Sequence, residues 1–72
     1  MILSKSETGG KYKLLNLDKL GVILKQRVAD MGLIGCDFLV VINNRGPVLI
    51  EVRGTRLAIG RGMAQKIEIE EV

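Results

Sequence analysis

Across residues 20–31 the apolar residues Leu20, Leu24, Val28 and Met31 recur every three or four positions, the spacing that gathers side chains on one face of an α-helix. Lys25, Gln26 and Asp30 fall elsewhere on the wheel, Asp18 stands where it can cap this helix, and Gly32 comes just after the last periodic residue. Glycine takes the left-handed backbone conformation without steric penalty, so Gly32 is the expected C-cap of one helix of about three turns at most. Two large apolar residues, Leu33 and Ile34, then sit between Gly32 and Gly35. An apolar side chain just past such a cap is expected to fold back onto the helix or over the end of the core, which makes Leu33 a plug.

After Cys36 the period changes. Residues 38–42 are apolar throughout, as in a strand buried on much of both faces, and Asn43-Asn44-Arg45-Gly46 supplies hairpin turn chemistry. Pro47 starts the return strand, where its missing amide hydrogen is tolerated. Val48, Ile50 and Val52 alternate with Leu49, Glu51 and Arg53, assigning one set to the core and the other largely to water. Gly54 turns the chain, Leu57 and Ile59 mark another short strand, and two glycines break the pattern over residues 60–64. Ile67 and Ile69 then alternate with Lys66, Glu68 and Glu70 in a final strand. Upstream, residues 12–17 read as a strand, and residues 1–10 as an irregular polar lead-in closing on Thr8-Gly9-Gly10. The result is a mostly β chain, a small antiparallel barrel of about five strands with one short α-helix, because closing a sheet removes its exposed edges.

Length confines this to a single domain over residues 1–72, one that buries only ~60% of its unfolded surface. Apolar residues form 47% of the chain against 26% charged, a globular balance. The formal charge of +3 invites a nucleic-acid reading, but Glu68, Glu70 and Glu71 gather at the end while Arg45, Arg53, Arg56 and Arg61 precede them, which is mild polarity only. Tyr12 and Phe38 are the only aromatics, too few to stack bases, so no nucleic acid is expected as a partner. One cysteine makes no internal bridge and no basic, apolar leader comes first, so the expected compartment is the cytoplasm. The run 38–42 is far below the ~20 residues of a membrane span, which leaves membrane association to a partner.

Candidate chemistry is sparse. Gly60-Arg61-Gly62 lacks the lysine and hydroxyl of a phosphate-binding loop. There is no histidine, so Cys36, with Asp37, Asp30 or methionine, is a weak metal candidate without closed-site spacing. A lone thiol with no histidine has no evident general base, so neither an enzyme nor a cofactor is expected. What remains is a protein partner. Leu49, Phe38, Val40 and Ile23 are apolar side chains surplus to the inward set, and Leu49, Arg53 and Arg56 are the expected partner-binding residues on the outward side of the strands.

The runs GVILKQRVADMGLIGC and GPVLIEVRGTRLAIGRGMAQKIEIE resemble the ferrous iron transport protein A (FeoA) family over residues 17–70, most specifically in residues 27–33 and 52–67. The resemblance implies an SH3-like barrel in the cytoplasm that regulates or assembles a large ferrous iron membrane transporter, whose soluble portion hydrolyses GTP. Family members usually carry a Pro-Gly pair after the Gly-Leu-x of the helix-ending turn, so Gly35 stands in the place of the proline and Cys36 in that of the second glycine. The segment before Lys11 reads as truncated or divergent relative to the family, so the resemblance assigns it no role. The alternative is a metal-responsive regulatory domain, since similar SH3-like domains end iron-dependent repressors. Such a repressor needs a DNA-binding helix-turn-helix, and none fits in this sequence.

One thiol and scattered carboxylates do not preorganise a metal site, so titration with ferrous or zinc ions is expected to show no tight stoichiometric step. A submicromolar one-to-one isotherm abolished by Cys36→Ser would contradict this.

Overall fold

The computed structural model of the chain describes residues 1–33 and 38–72. Five strands, β1 (Lys11–Asn16), β2 (Leu39–Asn43), β3 (Val48–Val52), β4 (Thr55–Ile59) and β5 (Glu68–Glu71), form one antiparallel sheet in the spatial order β4-β3-β2-β1-β5. Helix α1 (Gly21–Asp30) lies between β1 and β2 in the chain, and a single-turn helix α2 (Arg61–Ala64) joins β4 to β5. This is the small, mostly β architecture that the sequence predicts. Bulges in β1 between Leu14 and Asn16 and in β2 between Val41 and Asn43 break the pairing register, a device that bends strands. Among the described residues the ladder is not closed, because β4 and β5 have no hydrogen bonds to each other in the strand order.

Alternation decides the core. On β3, Val48, Ile50 and Val52 are buried while Leu49 and Glu51 are half-buried on the other face. Tyr12, Leu39, Val41, Ile59 and Ile69 enter the same layer from the other strands, and Leu3, Leu20, Val28, Leu33, Ala64 and Ile67 cover it from outside the sheet. The Tyr12 hydroxyl accepts a hydrogen bond from the Glu7 amide at 3.0 Å, so the one buried ring has its polar end satisfied. Gly10 is required beside it, since a Cβ there would lie 2.7 Å from the ring.

The end of α1 follows the expectation closely. Gly32 has φ +81°, its amide donates to the Ala29 carbonyl at 3.0 Å, and the Leu33 amide reaches the Val28 carbonyl at 3.3 Å. These are the paired bonds of a Schellman cap, and the apolar partners that accompany it, Leu33 and Val28, are both fully buried. The start of α1 differs from the expectation. Asp18 does not cap the helix: residues 18–20 form a 3-10 turn, the Asp18 amide donates to Asn16 Oδ1 at 2.7 Å, and Gly21, the first residue of α1, redirects the chain there with φ +74°. The Asp18 carboxylate instead pairs with Lys25 at 3.6 Å.

Two further segments depart from the pattern reading. Residues 1–10 are not a loose lead-in. Leu3 is fully buried in a 3-10 turn, and its amide donates to Ile67 at 2.9 Å. The Ile69 amide donates to Met1 at 2.7 Å, and Gly9 and Gly10 exchange bonds with Val41, so the segment runs along the free side of β5 and then joins β2. Three consecutive apolar residues, Met1, Ile2 and Leu3, are too short a run to show a period. The glycine break at residues 60–64 closes into α2, which carries Ala64 into the core. Cys36, Gly35, Ile34 and Asp37 lie outside the described residues, and with them the metal candidate and the displaced Pro-Gly position.

Leu33→Ala is expected to lower stability by ~2–5 kcal/mol, and Gly32→Ala by ~1–2 kcal/mol through backbone conformation alone, since space for a Cβ is open there. Urea unfolding measures both, and an unchanged midpoint for Leu33→Ala would remove the plug.

Candidate functional site

With Val48, Ile50 and Val52 committed to the core, Leu49 and Glu51 face outward, and the strand register extends that face across the sheet. Leu49 pairs with Ala58 and Glu51 with Arg56 on β4, while Glu51 pairs with Val40 on β2 and Val40 with Lys11 on β1. Lys13 pairs with Glu70 on β5. The outer face is therefore a band of aliphatic side chains crossed by opposite charges. Arg56 Nε lies 3.8 Å from Glu51 Oε1 and Lys13 Nζ lies 3.3 Å from Glu70 Oε1. The Lys11 ammonium sits 5.1 Å from the centroid of the Phe38 ring, in cation–π range. A shallow pocket of about 210 Å³ opens between Phe38, Val40, Glu51, Arg53 and Gly54. An apolar floor with a carboxylate and a guanidinium at its rim suits a small apolar side chain with polar neighbours. Exposed ion pairs of this kind contribute only ~0–1 kcal/mol to the fold, so they are free to exchange for a partner's charges.

The structure brings Leu49 and Arg56 onto one face, with Leu49 half-buried rather than projecting freely. Arg53 is not on β3. It occupies the two-residue turn to β4 with φ +53°, followed by Gly54 at +81°, the left-handed pair of a type I′ hairpin in which asparagine usually precedes glycine. Phe38 is 42% exposed, and Ile23 is 79% exposed on α1, apart from the sheet face. Val22, 86% exposed beside Ile23, escaped the sequence reading, although it too falls off the stripe of Leu24 and Val28.

A polar cluster elsewhere had no signal in the sequence. Arg61 Nη1 donates to Asn44 Oδ1 at 2.9 Å and to the Gly46 carbonyl at 2.7 Å, and Nη2 donates to the Ser4 carbonyl at 3.0 Å. Asn44 Nδ2 donates to the carbonyls of Ser4 and Ser6 at 3.0 and 2.8 Å. Gly60-Arg61-Gly62 thus fastens α2, the β2–β3 turn and the N-terminal segment together, with its guanidinium directed at protein carbonyls. Among the described residues no three His, Cys, Asp or Glu side chains gather as metal ligands, and no helix is long and apolar enough to cross a membrane.

A model of the FeoA domain matches residues 1–71. A protein of Methanocaldococcus jannaschii, provisionally named Fe(2+) transport protein A, is 47% identical over 47 residues, which cover 64% of this chain. That match spans 57% of the archaeal protein's length. The crystal structure of an iron uptake regulatory protein (FeoA) superposes with a TM-score of 0.87 at 30% identity, covering all of this chain and 96% of the other. The solution structure of the FeoA protein from Chlorobium tepidum superposes at a TM-score of 0.86 with 22% identity, covering all of this chain and 70% of that one, which makes the SH3-like fold common to them.

Asn44→Ala is expected to cost about 1–3 kcal/mol, because the Ser6 carbonyl loses this donor and the Ser4 carbonyl keeps only that of Arg61. Because Arg61 and Asn44 share the Ser4 carbonyl, a double-mutant cycle with Arg61→Ala should show a coupling of ~0.5–3 kcal/mol. Additive effects would mean the two side chains do not act as one clamp.

Proposed function

Because the chain belongs to the FeoA family, we propose that it is a non-enzymatic accessory protein of ferrous iron uptake that works in the cytoplasm by docking on the GTP-hydrolysing cytosolic portion of the iron transporter. The observation that carries the reading is the outer sheet face, where Leu49 and Val40 lie among Glu51, Arg56 and Lys11 and none of these side chains is spent on the core. Interface energy concentrates in a few desolvated apolar or arginine anchors, and Leu49, Arg53 and Arg56 have that chemistry. The chain binds its partner with protein groups alone, takes no cofactor and reaches the membrane only through the transporter. The relatives' names support the iron-uptake setting.

A Leu49→Asp, Arg56→Glu double variant is expected to keep its far-ultraviolet circular dichroism and lose most of its affinity for the purified cytosolic portion of the transporter. The change puts a carboxylate in the aliphatic band and sets two acids opposite each other at the Glu51 pairing. A variant that binds as well as the parent, or that fails to fold, would remove this face from the account. GTP turnover by the chain itself, persisting through purification, would overturn the non-enzymatic assignment.

A further inference from the structure

The two ends of the sheet are treated differently. At β5 the outer side is occupied: Met1 and Ile69 exchange hydrogen bonds, Leu3 reaches Ile67, and Ile2 bridges to Glu68. At β4 no strand lies beyond the pairing with β3 among the described residues. Its ladder runs through five consecutive pairs, Val48↔Ile59 to Val52↔Thr55, with no bulge. Exposed edges are ordinarily blunted by bulges, prolines or several charges, and β4 has neither bulge nor proline and one charged residue, Arg56.

The turn fixes which main-chain groups face outward. In a two-residue type I′ hairpin the flanking residues, here Val52 and Thr55, form a hydrogen-bonded pair, and antiparallel pairing then alternates. Thr55, Leu57 and Ile59 therefore bond β3, while the N–H and C=O groups of Arg56 and Ala58 turn to the open edge. All three of Thr55, Arg56 and Ala58 are exposed. The side chains beside that edge are selective. On the outer face stands Arg56, whose ion pair with Glu51 engages Nε, with Arg53 in the adjoining turn. On the inner face stands Leu57, half-buried against the core.

We propose that β4 is a docking edge that accepts an extended segment alternating acidic and apolar residues, added as a sixth strand through the main-chain groups of Arg56 and Ala58. The inference rests on the docking reading above and supplies its mode. A carboxylate of the added strand lies beside Arg56, and an apolar side chain extends the cover over Leu57. A second copy of this chain is the poorer occupant. Pairing β4 with its own counterpart through these groups places two Arg56 guanidinium groups on one face at the diagonal spacing of ~7–8 Å, where like charges repel.

The test is amide hydrogen exchange of the full chain, read residue by residue by NMR, with and without the purified cytosolic portion of the transporter. The Arg56 and Ala58 amides should exchange rapidly in the free chain and slow by about tenfold or more on saturation, the mark of new main-chain bonds. Ala58→Pro removes one outward donor without touching the β3 ladder, and should weaken binding about tenfold or more where Ala58→Gly does not. Binding that leaves both amides unprotected would overturn the edge while leaving the docking face intact. Absence of any binding would overturn the docking reading itself and the edge with it. Protection that develops with chain concentration alone would reject the acidic strand in favour of a second copy.

Discussion

Val48, Ile50 and Val52 enter one apolar layer, and successive residues of a strand alternate, so β3 cannot bury them without turning Leu49 and Glu51 to the opposite face. A one-residue slip would exchange the two sets and expose three β-branched side chains. That constraint propagates through the register. It places Arg56 and Ala58 outward on β4, Val40 on β2 and Lys11 on β1. A chain of 72 residues has little apolar surface to spare, and its other elements serve to cover this one layer. Leu20, Val28 and Leu33 do so from the helix and its ends, Leu3 from the N-terminal turn, and Ala64 with Ile67 from the link into β5.

The covers are held by different physics. Helix α1 is attached by its stripe and by the Gly32 cap, whose two hydrogen bonds end the helix where Leu33 can turn inward. The N-terminal segment has a single deeply buried apolar side chain, Leu3, and is secured by main-chain bonds to β5 and by the Arg61–Asn44 clamp. The clamp lies where the β2–β3 turn, the N-terminal turn and α2 meet. The polar network lies away from the outer sheet face, where the described residues carry exposed ion pairs and the Lys11–Phe38 contact, and exposed pairs of this kind contribute little to the fold.

The sequence was most legible where a period was long enough to be seen. The inward set of β3, the stripe of Leu20, Leu24 and Val28, and the Gly32-Leu33 cap were readable because each is a local pattern with one physical meaning. Asp18 misled, because a capping residue signals a helix only if the chain continues from it, and Gly21 at positive φ intervenes. Leu3 and the clamp were unreadable for a different reason: Ser4, Asn44 and Arg61 are brought together by topology and share no local pattern. At the candidate site, alternation indicated the side of Leu49 and its neighbours, but not the left-handed turn at Arg53 or the difference between the two sheet edges. Those depend on the pairing order, which no single segment encodes. The exposure of Val22 beside Ile23 was legible in principle, since both lie off the helical stripe.

Among the described residues the outer sheet face and the first turn of α1 both expose apolar side chains, and the docking proposed above uses the sheet. Chemical-shift mapping of the isotopically labelled chain during titration with the transporter's cytosolic portion compares them directly. The perturbed signals are expected to cluster at Val40, Leu49, Glu51 and Arg56, with Val22 and Ile23 unmoved. Perturbations confined to Val22, Ile23 and their neighbours on α1 would contradict docking through the sheet.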